Sequence, residues 1–235
     1  MSWSRSGQPT MRSSARPDHA RARCAMVEHQ LRRRGIRDER VLAAMERVPR
    51  ERFVPEALAR QAYEDGAFPI GEGQTISQPY IVAAMCELLA LRGDERALDV
   101  GTGSGYAAAV LAELAAEVVS IERVPALAAR ARAALVPAGY ERVEVRVGDG
   151  SLGAPDRAPF DAIAVAAAAP EVPPALLEQL APHGRIVVPR GSRWSQRLVL
   201  LTSTPDGLEE RGSLACRFVP LLGAEGFAGD DDPLS

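Results

Sequence analysis

The sequence has no lysine and no asparagine: all 28 basic side chains are arginines, and alanine is abundant. A GC-rich coding bias produces that pattern, so it carries no functional message. Cysteine is scarce too. Cys24, Cys86 and Cys216 are scattered, odd in number and without paired spacing, which argues against a disulfide framework or a cysteine zinc site and predicts a reducing, cytoplasmic setting. His19, His29 and His183 have no acidic or cysteine companions at ligand spacing, so no metal site is expected. No apolar run has the length of a membrane span, and the arginines of residues 1–23 adjoin no apolar stretch of the kind a secretory signal needs. A net charge of -3 supplies no excess of basic groups to attract nucleic acid or a membrane surface.

What is present suffices for one α/β domain: 235 residues, 46% of them hydrophobic. Residues 1–23 are expected to form a flexible basic arm, because the stretch to about residue 18 is rich in Ser, Arg, Pro and Gly and lacks apolar periodicity. A docking tail and an upstream start codon are both open readings of it. Residues 24–228 then form a single domain, with a helical preface over 24–93 and an α/β core over 94–228, and 229–235 a loose tail.

In the preface, Asp38 is placed to cap a helix carrying Val41, Leu42, Met45 and Val48, which Pro49 stops; an earlier helix through Met26, Val27 and Leu31 pairs with it. A turn-rich stretch, 63–78, leads to Pro79 in the first turn of a helix carrying Ile81, Val82, Met85, Leu88 and Leu89. From Arg96 short apolar runs alternate with helical ones, the pattern of parallel βαβ units. Strands are expected near 97–100, 118–121, 143–147, 162–165 and 185–189, helices near 106–115, 127–136 and 174–180, and two more strands at 196–201 and 214–220.

The strongest local signal is Leu98-Asp99-Val100-Gly101-Thr102-Gly103-Ser104-Gly105-Tyr106, a strand running into a glycine-rich turn that opens a helix. Alternating glycines let backbone approach a ligand closely; a turn without a ligand is the plain alternative. Dinucleotide sites favour G-x-G-x-x-G over a pyrophosphate, whereas here Asp99 stands before G-x-G-x-G and would repel phosphate. It suits instead the ammonium of a methionine moiety, directly or through water. Glu122, about twenty residues on, sits where such folds present an acid to ribose hydroxyls, with Arg123 beside it. Asp149-Gly150 offers an acceptor for an adenine amino group, although taken alone an ordinary Asp-Gly turn is the better reading of that motif.

Those residues, with the run Pro69-Ile70-Gly71-Glu72-Gly73-Gln74-Thr75-Ile76-Ser77-Gln78-Pro79-Tyr80, make the chain resemble the protein-L-isoaspartate O-methyltransferase family from about Met26 to Phe227. Supporting runs are Val48-Pro49-Arg50 with Phe53-Val54-Pro55, Ser120-Ile121-Glu122-Arg123 and Arg217-Phe218-Val219-Pro220-Leu221. The resemblance implies an α/β Rossmann-like class I S-adenosylmethionine-dependent methyltransferase, with a mostly parallel central sheet, helices on both faces and an N-terminal helical extension. It implies S-adenosyl-L-methionine as methyl donor, S-adenosyl-L-homocysteine as product, and an isoaspartyl-containing protein or peptide as partner, handled by a monomer. The family's active-site serine falls on Ser77, which would orient the substrate carboxylate; Thr75 and Ile76 would shape the pocket and touch cofactor, and Val219 would lie near the peptide. Ser77 as a helix cap before Pro79 is compatible with that role.

Two departures bear on the carry-over. Ala166 stands where many relatives have a threonine, and Ala107 where glutamine is common. Competing readings are an aspartate-specific methyltransferase installing aspartimide in a ribosomally made peptide, an enzyme for a small carboxylic acid, and an inactive fold whose basic arm contacts nucleic acid.

Overall fold

A computed structural model describes residues 18–228. The expected arm overlaps the first helix, α1 (His19–Met26), so residues 19–23 are helical; Asp18 caps that helix by accepting the Arg21 amide. Residues 1–17 and the tail from 229 lie outside the described residues.

A single π-type turn carries α1 on to Leu31. Then α2 (Glu39–Arg47) starts where the Asp38 carboxylate accepts the amides of Arg40 and Val41, and buries Val41, Leu42 and Met45. The stretch expected as turns holds a small hairpin, β1 (Phe68–Gly71) with β2 (Gln74–Ile76). Its strands are too short to show an alternation. Pro79 occupies the first turn of α3 (Pro79–Leu89).

The core contains β3 (Arg96–Val100), α4 (Tyr106–Leu114), β4 (Glu117–Glu122), α5 (Pro125–Leu135), β5 (Glu144–Val147), β6 (Phe160–Val165), α6 (Pro174–Glu178), β7 (Leu180–Gly191), β8 (Gln196–Thr204) and β9 (Gly207–Cys216). The sheet order is β5-β4-β3-β6-β7-β8-β9. All pairs are parallel up to β7, and the last two strands add antiparallel. β9 begins well before the apolar run at 214–220 that predicts it. It pairs with β8 alone, and its exposed Glu209, Glu210 and Arg211 are the charged side chains that suit an unpaired edge.

Alternation along the parallel strands sorts two cores. Ala97, Ala162, Ala164 and Val187 join the cluster made by α2 to α5, while Leu98, Val100, Ile163, Val165, Ile186 and Val188 join Phe160 and Leu176 on the opposite face. Alanines under the helices allow close approach, and the branched side chains fill the more open face. Between β3 and β6 the order of connection reverses, which opens a crevice at the carboxyl ends of these strands.

Candidate active site

The loop after β3 lies in that crevice. Gly101, Gly103 and Gly105 have φ of 95, 53 and 89°, values that a side chain with a β-carbon rarely adopts. A Cβ on Gly105 would press on Ala131 and on Leu135 at 3.3 Å, so this glycine serves helix packing and not the ligand. The loop is held from β4: the Gly101 amide donates to the Ile121 carbonyl. The Glu122 carboxylate accepts the amides of Gly103 (2.8 Å) and Val124 (2.9 Å).

Around this loop is an open cleft. Its walls bring together Thr75, Ile76, Ser77, Gly101, Thr102, Gly103, Ser104, Glu122, Arg123, Gly150 and Val219. Asp99, Gly105 and Asp149 are not in the walls.

Asp99 is fully buried beneath the loop. Its Oδ2 accepts from Ser120 Oγ at 2.6 Å, and Ser120 Oγ shares a 2.5 Å hydrogen bond with Thr102 Oγ1. Burial pushes its carboxyl up to about 6 against the pull of the Ser120 hydroxyl, and the nearby Glu122 charge adds to the rise. Oδ1 has no hydrogen-bond partner among the described residues. Asp99 therefore lies in the protein interior behind the cleft wall and meets Thr102 only through Ser120.

Asp149 is occupied elsewhere: Oδ1 accepts the Ser151 amide and hydroxyl, and Oδ2 accepts the Ala224 amide at 2.7 Å. Burial would raise its pKa, but the donors from Ala224 and Ser151 outweigh it and hold the carboxyl below the ordinary range. Through Asp149 and Ser151 Oγ, which accepts the Glu225 amide, the segment after β9 is strapped over the end of the cleft where Gly150 lies. That strap adds Pro220, Leu221 and Leu222 to the wall. The strap's wall residues, Tyr106 and Ala107 were not among the expected site residues; Tyr106 ended the glycine motif, and Pro220 and Leu221 lay in a run that carried the resemblance.

A second open groove shares Thr75, Ser77, Ala166 and Val219 with the first. Gly66, Ala67, Gln78, Ile81, Cys216 and Phe218 are among its other walls. Ser77 and Thr75 therefore stand on the divide between the two grooves.

Comparison with known proteins agrees with this geometry. The family model described as protein-L-isoaspartate(D-aspartate) O-methyltransferase matches residues 22–226. Protein-L-isoaspartate O-methyltransferase 2 of Marinobacter nauticus is 60% identical over 207 residues, covering 87% of this chain and 94% of the relative. The protein-L-isoaspartate O-methyltransferase of Methanoculleus marisnigri is 55% identical over 91% of this chain and 97% of its own length. A Plasmodium falciparum structure described as a beta-aspartate methyltransferase in complex with S-adenosyl-L-homocysteine superposes with a TM-score of 0.75 at 26% identity, over 85% of this chain and 98% of that one. A match that spans both the glycine loop and the Ser77 hairpin leaves one conclusion: the chain belongs to the protein-L-isoaspartate(D-aspartate) O-methyltransferase family.

Proposed function

We propose that the protein transfers the methyl group of S-adenosyl-L-methionine to the free α-carboxylate of L-isoaspartyl residues in damaged proteins or peptides, which starts their return to aspartate through a succinimide. The observation that carries this reading is the shared divide: a donor in the cleft over Gly101–Gly105 and a peptide in the second groove would meet at Ser77.

Glu122 and the backbone of Gly101 to Ser104 would hold the ribose and methionine parts of the cofactor, Arg123 and Gly150 would bound the cleft, and buried Asp99 would answer the ammonium charge from below. When bound, S-adenosyl-L-methionine supplies an electrophilic methyl group on a sulfonium. The substrate carboxylate, with an ordinary pKa of about 4, is already ionised at neutral pH, so no general base is required and no histidine is assigned to one. Ser77 orients that carboxylate with its hydroxyl, and Thr75, Ile76 and Val219 fix the approach, so that alignment does most of the work. Transfer neutralises one positive and one negative charge, and a cleft drier than bulk water favours it.

The second groove is walled mainly by small and neutral side chains, which suits contacts to peptide backbone and tolerance of flanking residues. Cys24, Cys86 and Cys216 are unpaired, in keeping with the cytoplasm, and no helix among the described residues is long and apolar enough to cross a membrane.

The test is methyl transfer from labelled S-adenosyl-L-methionine to matched isoaspartyl and aspartyl peptides, with Ser77→Ala alongside. The isoaspartyl peptide should be labelled and its twin not. Loss of one hydrogen bond to a charged group, about 1.5–3 kcal/mol, should lower kcat/KM in the variant by roughly 10- to 150-fold. Labelling of the aspartyl twin would instead point to peptide maturation, and an unaffected variant would remove Ser77 from the mechanism.

A further inference from the structure

Among the described residues Arg50 is the largest fully buried side chain, with 0% exposure, and it is a cation. It follows α2, in a 3-10 turn of the helical preface. Its Nε donates to the Ala62 carbonyl at 2.8 Å, and its Nη2 donates to the backbone carbonyl of Ser77, also at 2.8 Å. The guanidinium lies 4.7 Å from the centre of the Tyr106 ring. Tyr106 is the first residue of α4, directly after the glycine loop, and it lines the cofactor cleft.

One side chain thus touches the substrate loop through Ser77 and the cofactor loop through Tyr106. Its position is costly. No carboxylate among the described residues pairs with it, and Nη1 is buried without a hydrogen-bond partner. Burial lowers its pKa, with Tyr106 and Tyr63 opposing only in part. A hydrophobic side chain of similar volume would fill the space without burying a charge, but would leave the Ala62 and Ser77 carbonyls without this donor. A buried cation without a paired anion breaks a local rule of packing, and such breaks are characteristic of functional sites.

We propose that Arg50 is a positioning residue for methyl transfer: it sets the placement of Ser77 against the cofactor loop, and so the alignment of carboxylate and methyl. Neither Lys nor Gln reproduces a planar fork that donates to two carbonyls while lying over a ring. This rests on Ser77 orienting the substrate.

The experiment is a double-mutant cycle with R50Q and S77A, read by kcat and KM for an isoaspartyl peptide and by the Kd of S-adenosyl-L-homocysteine. Circular dichroism checks that each variant is folded at the assay temperature. R50Q should lower kcat at least tenfold, leave the Kd of S-adenosyl-L-homocysteine within about threefold, and add less than twofold when placed on S77A. R50K, which keeps the charge and one hydrogen bond, should recover part of the loss; it takes the place of R50Q in the cycle, with a threefold threshold, if R50Q does not fold. A loss of equal factor in both backgrounds, or a cofactor affinity that falls in step with kcat, would mark Arg50 as merely structural and overturn the proposal. If S77A loses activity and neither Arg50 variant does, the proposal fails and the Ser77 reading stands; if S77A is unaffected, both fail.

Discussion

Asp99→Asn tests how the buried acid serves the site. In the free protein, burial raises the Asp99 carboxyl from 3.8 to about 6. The native state therefore holds this proton more tightly than the unfolded chain does. The stabilising contribution is complete below the unfolded value of 3.8 and is lost as pH rises through the folded value near 6. By pH 7.5 the accumulated penalty is about 3 kcal/mol, and at pH 5 about half of that. An asparagine is nearly isosteric, can still accept from Ser120, and carries no charge to desolvate. Asp99→Asn should thus melt higher than the parent at pH 7.5, by roughly 6–12 °C at ~2–4 °C per kcal/mol for a chain of this size. The gap should shrink by about half at pH 5. On the proposed role of Asp99, the same variant should also bind S-adenosyl-L-homocysteine at least about tenfold more weakly, because the buried anion beneath the loop is gone. Thermal unfolding across pH and calorimetric titration measure the two effects. A variant that melts no higher than the parent at pH 7.5, or a gap that ignores pH, would refute the burial argument; unchanged ligand affinity would refute the electrostatic role.

Other positions give simpler outcomes. Gly105→Val adds a branched side chain at φ 89° against Ala131 and Leu135, and overpacking plus strain of about 2–4 kcal/mol should lower the melting temperature and weaken S-adenosyl-L-homocysteine binding together. At Gly223, a Cβ would overlap Asp149 Oδ1. Gly223→Ala should therefore detach the strap, exposing residues 221–228 to limited proteolysis and weakening cofactor binding, while the melting temperature falls by only a few degrees.

The sheet was readable because β3, β4, β6 and the second half of β7 are short, largely apolar runs, and the glycine loop because its backbone demands Gly at fixed spacing. Glu122 and Ser77 sit in the cleft wall as their motifs suggested. What spacing could not show was side-chain direction. Asp99 and Asp149 both arrive at strand ends, but burial turns one beneath the loop and the strap's amides engage the other. The β1–β2 hairpin was hidden because its strands have only four and three residues and follow a turn-rich stretch, and β9 by a charged edge where an apolar run was sought. Arg50 reaches Ser77 across 27 positions of sequence, a contact set by tertiary packing and invisible to local patterns.

The chemical nature of the methylated product tests the central claim most directly. An isoaspartyl peptide should be incubated with the enzyme and labelled S-adenosyl-L-methionine, then held at mildly alkaline pH while volatile label and peptide isomers are followed by chromatography. A carboxyl methyl ester predicts release of the label as methanol, with a succinimide and then aspartyl peptide appearing as the isoaspartyl form declines. Label that stays on the peptide through the alkaline step would mean methylation of nitrogen, sulfur or another stable position, and would contradict the account.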